Sequence, residues 1–165
     1  MISFKKYLVN NFQYLDCRGQ TLIETLAALA IISVVIAAIA TAIITSLSNA
    51  KYDQNQTFAT KYAQQGTEII QQIRDDNYTS FKNYNGTYCL AKGQTALGSP
   101  ANCTTPNVDT FIRSVTIQQA PGCGANIAQV TVSVAFIDGK CATGAYCHKQ
   151  TEITCLSTVN PVQGP

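Results

Sequence analysis

Few residues in this chain have types and spacing suited to chemistry. Across 165 residues there are seven cysteines, one histidine, nine carboxylates and no tryptophan. Nucleophilic cysteine catalysis needs a free thiol facing a histidine across a site. Cys147 and His148 are instead neighbours in sequence, no phosphate-binding glycine motif is present, and Asp75-Asp76 reads as a helix end. No catalytic residue and no cofactor are assigned. Glu24 is a different case, being the lone carboxylate at the border of Thr25–Ala50, a run of 26 residues without a charge. A carboxylate in such a segment costs about 2.5–3.5 kcal/mol at mid-bilayer and less near the headgroups, so it calls for a cationic partner.

The segment that carries Glu24 explains the uneven composition, 46% hydrophobic but only 12% charged. As a helix, the uncharged run is roughly 39 Å long, more than the ~30 Å hydrocarbon core of a bilayer. It is apolar on every side, and the 115 residues that follow could hardly wrap it. An ordinary secretory signal has an apolar region of only about 7–15 residues, so a membrane helix is the better reading. Lys5, Lys6 and Arg18 precede it against one acid, Asp16. That imbalance holds the leading end in the cytoplasm and sends the chain after Ala50 outward.

The junction reads Arg18-Gly19-Gln20-Thr21-Leu22-Ile23-Glu24-Thr25-Leu26. A glycine, a glutamate five residues later and then a long uncharged helix, all after a short basic leader, resemble the class III signal of type IV pilins and type II secretion pseudopilins. The resemblance covers about residues 15–50, with a looser likeness in layout beyond. It implies that a prepilin peptidase cuts between Gly19 and Gln20 and methylates the new amino terminus. Removing the first 19 of 165 residues leaves 146. Gln20 departs from the phenylalanine usual at that position. The resemblance also gives Glu24 its partner, the freed amine of a staggered neighbouring subunit in preference to the chain's own. The segment Leu22–Ile31 looks most like minor subunits, and the retained glutamate differs from the tip subunit that lacks it.

Beyond the membrane the helix is expected to continue to about Arg74. Tyr52, Ala59, Tyr62, Ala63, Gly66, Ile69, Ile70 and Ile73 recur at three- and four-residue steps, an amphipathic stripe suited to packing on a sheet. Residues 76–109, rich in Asn, Thr, Gly and Ser, read as loop. Three strands are then expected: Phe111–Ile117; Ile127–Ile137, with Ala128, Val130, Val132, Val134 and Phe136 on one face; and Lys149–Val159, returning after the Asp138-Gly139 turn.

Cys17 falls in the leader, leaving Cys89, Cys103, Cys123, Cys141, Cys147 and Cys155. Six cysteines in an exported domain read as three disulfides, with 15 possible connectivities. Sequence does not choose among them, but loop geometry ranks 89–103, 141–147 and 123–155 first, on the assumption that residue 137 pairs with about 149. A zinc site from Cys141, Cys147 and His148 is the alternative use of these residues. Paired C-x-x-C spacing is missing and the compartment is oxidising, so no metal is assigned.

The expected fold is α+β: a long amino-terminal helix on a small antiparallel sheet, stapled by disulfides and pilin-like. Residues 1–19 form a removed leader, 20–50 the membrane and assembly half of the helix, and 51–165 an extracytoplasmic domain. The expected function is that of a structural filament subunit, anchored once in the cytoplasmic membrane and then built into a pilus or pseudopilus. Its implied partners are the prepilin peptidase, sister subunits, the membrane and assembly-platform proteins. Residues 51–165 carry eight scattered basic and seven acidic residues, so there is no strong nucleic-acid signal. A signal-anchored binding or adhesion domain that never polymerises is the competing class.

Overall fold

The structure, a computed structural model, describes residues 20–119 and 122–159. The leader, Gly19 and Cys17 lie outside the described residues. Helix α1 runs Gln20–Asp76, and a one-turn helix α2, Tyr78–Phe81, follows it. Asn77 ends one and starts the other. Its backbone N–H still donates to the Ile73 carbonyl, while its side-chain oxygen accepts from the Ser80 amide at 3.0 Å, a cap that frees the chain to turn. Four strands complete the fold: β1 Gly86–Cys89, β2 Ile112–Gln119, β3 Ile127–Phe136 and β4 His148–Ser157. They form an antiparallel sheet in the order β1-β2-β3-β4.

The chain divides after Leu47 into two units. In the first, residues 21–47 are exposed throughout. Thr25, Ser33, Thr41 and Thr45 each turn the hydroxyl back onto a carbonyl three or four residues earlier, at 2.8–2.9 Å. Each of these donors is satisfied within the helix, which is what a lipid environment demands. α1 is long and apolar enough to cross a membrane.

The second unit has its own core. Ala59, Ala63, Ile70 and Ile73 of α1 cluster with Val115, Ile117, Ala128, Val130, Val132, Val134 and Phe136 of the sheet. All five expected inward residues of β3 are buried, at 0–3% exposure. Gly66 marks the closest approach of helix and sheet, because a Cβ there would lie 2.7 Å from Val132 Cγ1 and 3.2 Å from Arg113 Cδ. The opposite face of the sheet carries Ser114, Thr116, Gln129, Thr131 and Ser157, the usual polar alternation of a half-buried antiparallel sheet.

Two expectations need correction. The sheet has four strands where three were expected: β1 lies within the segment read as loop, and Gly86-Thr-Tyr-Cys is too short to alternate visibly. The β3–β4 register is also shifted by two residues: Ala135, not residue 137, faces Lys149, and Cys155 therefore faces Gln129. Turn length sets hairpin register, and the eleven residues between Phe136 and His148 form a longer, disulfide-closed loop, so the Asp138-Gly139 pair does not close the hairpin or fix its count.

Candidate processing and assembly site

At the amino-terminal end, Gln20 opens α1 and Glu24 stands one turn further on, exposed. Glu24 has no hydrogen bond or ion pair among the described residues. Around it Leu22, Ile23, Leu26 and Leu29 are 58–69% exposed, so the carboxylate stands on an apolar surface that the unit itself leaves uncovered. Ala27, Ala28, Ala30, Ala37, Ala38, Ala40 and Ala42 are likewise exposed. Small side chains of this kind let helices approach closely in lipid. The helix amends one expectation. Gln20 and Glu24 are four residues apart, the spacing at which helical neighbours meet, so an amine created at Gln20 also lies near its own glutamate.

The remaining site residues form three cysteine pairs. Cys89 joins Cys103, Cys123 joins Cys155 and Cys141 joins Cys147, with Cα separations of 5.5, 5.9 and 5.6 Å, within the range a disulfide requires. This is the pairing that loop geometry ranked first. The two-residue shift in register helps it, since Cys155 sits opposite Gln129, nearer the start of β3 and so nearer Cys123.

Around the third pair is a cluster that the sequence reading only half saw. Asp138, Cys141, Cys147 and His148 bring their ligand atoms within 4.8 Å of one another. His148 Nε2 lies 3.1 Å from Asp138 Oδ1, yet this buried nitrogen makes no directed hydrogen bond among the described residues. Tyr52 meets the imidazole edge-on at 5.0 Å and Phe136 stacks on it at 5.2 Å. Desolvation pushes the Asp138 carboxyl up. The Lys140 amide, at 2.9 Å from Oδ1, and the nearby His148 and Lys140 side chains outweigh that and hold it below the usual carboxylate range. A groove of about 160 Å³ opens beside His148, between Tyr52 and Gln150.

Arg113 is the residue that sequence reasoning missed altogether. It is 1% exposed in β2, and its guanidinium donates to the carbonyls of Leu90, Ala91 and Tyr62 at 2.9–3.1 Å. Burial lowers its affinity for the proton. The planar fork thereby ties together α1, the segment after β1 and the sheet. Nearby, the Tyr62 hydroxyl donates to Asp109, which raises the phenol above its ordinary range, with burial acting in the same direction. An arginine within an otherwise β-rich run reads as surface. Only the carbonyls of α1 and of the segment after β1, converging on it, offset the cost of burial.

Residues 15–40 fit the model described as the prokaryotic N-terminal methylation motif. No curated protein and no solved structure matches the chain. The match spans Gly19, Gln20 and Glu24 together with the first part of the exposed apolar helix. That motif, followed by such a helix, is similar to the amino-terminal signal of type IV pilin-like precursors.

Proposed function

We propose that the chain is a structural subunit of a type IV pilus-like or type II secretion pseudopilus filament. A prepilin peptidase cuts after Gly19 and methylates Gln20, and the mature chain waits in the cytoplasmic membrane with its carboxy-terminal unit outside. Assembly-platform proteins then help move it into the filament among sister subunits. The observation that carries this reading is the first half of α1, uncovered along its whole length and bearing one carboxylate at its head. Burying that surface against sister helices removes apolar area from lipid contact and packs the alanine-rich faces together. In the same dry core, Glu24 meets a protonated amine, and the low dielectric strengthens that attraction.

Mass spectrometry of the mature protein tests the first step. A methylated Gln20 is expected, while an intact Met1 would favour a signal-anchored adhesion domain. Glu24→Ala tests the second. The variant should be processed and membrane-bound as before but absent from sheared filaments; assembly at the wild-type level removes Glu24 from the mechanism.

A further inference from the structure

The cluster at the β3–β4 loop fits a ligand that the proposed filament role does not use. Zinc bound by two thiolates, an imidazole nitrogen and a carboxylate oxygen has bonds of about 2.0–2.3 Å, so tetrahedral ligand atoms stand about 3.3–3.8 Å apart. In the structure, Asp138 Oδ1 lies 3.1 Å from His148 Nε2 and 3.6 Å from Cys141 Sγ. All four ligand atoms fall within 4.8 Å of one another. The covalent bond between the two sulfurs is a separation that a metal cannot accept. The Nε2 of His148 is itself buried and faces Asp138 Oδ1 at 3.1 Å without an aligned hydrogen bond, so it is directed into the cluster. Asp138 is also largely buried, its side chain 5% exposed.

We infer that the loop 138–148 is a two-state site: a disulfide staple when oxidised, and a Zn2+ site with ligands Asp138, Cys141, Cys147 and His148 when reduced. The switch balances as follows. A dithiol transfers two electrons and two protons to the Cys141–Cys147 bond and leaves as its own disulfide. Zn2+ then displaces the two thiol protons and draws the separated sulfurs into its shell. The Cys141–Cys147 pair suits this exchange, since it closes a sequence separation of 6 against 14 and 32 for the others. Short loops gain the least from cross-linking. Cys147 is exposed, so a reductant can reach its sulfur.

The test uses the full chain in detergent, with Co2+ and Zn2+ as probes. Mild dithiol treatment is followed by alkylation mapping, to find conditions that open 141–147 while 89–103 and 123–155 stay closed, and the dithiol is then removed. Under those conditions one Co2+ should bind per chain and give the thiolate charge-transfer and tetrahedral ligand-field bands, and Zn2+ should displace it. The oxidised chain should bind none. His148→Gln and Asp138→Asn should each weaken Zn2+ binding by about tenfold or more, with circular dichroism confirming that the fold persists. Absence of metal binding by the selectively reduced chain, or binding that neither variant changes, overturns the inference.

Discussion

α1 is one helix with two physical characters. From Thr21 to Leu47 every side chain is exposed, whereas from Ala59 to Ile73 a stripe of small and branched residues is buried against the sheet. The first half is the richer in β-branched Ile, Val and Thr, yet both halves are helical, so propensity does not explain the contrast. What differs is where the apolar surface finds cover. The second half finds it within its own unit, which stabilises the fold. The first half finds none there, and its free energy is available for lipid or for other chains. Stability of the folded unit therefore resides in the second stretch, and the surface proposed for assembly in the first.

The largest effect expected from this contrast is on deletion of residues 1–47. The remaining unit should stay in solution without detergent and unfold cooperatively, as chemical denaturation followed by circular dichroism would show. Loss of its sheet signal would mean that the two halves are not independent. Arg113→Ala comes next. It leaves the carbonyls of Leu90, Ala91 and Tyr62 without their donor and opens a cavity, so the midpoint of denaturation should fall by the equivalent of about 3 kcal/mol or more. Gly66→Val forces a side chain into Val132 and should cost about 2 kcal/mol in the same assay, without altering membrane insertion. At the small end, Ile153→Thr lies on the outer face of β4 at 59% exposure and should shift stability by less than about 0.5 kcal/mol. A larger shift would show that this face is covered.

Legibility in the sequence followed the range of the interactions involved. The apolar run is continuous and the β3 alternation is periodic over ten residues, and both emerged as read. β1 has four residues, and its pairing with β2 crosses from Gly86 to Ile117, a partnership that no local pattern announces. Asp138 was legible as a turn residue only. Its Asx-type bond to the Lys140 amide is local, but its approach to His148 needs the hairpin to close first.

By itself the sequence determined the Gly19–Glu24 junction, the uncovered helix after it and the even cysteine count, because each depends on residue type and spacing along one chain. The tertiary structure decided the β3–β4 register, the burial of Arg113 under three carbonyls and the meeting of Asp138, Cys141, Cys147 and His148. Those features depend on how far apart residues come to lie once loops have closed, and closure is governed by packing of the whole unit, not by any window of its sequence.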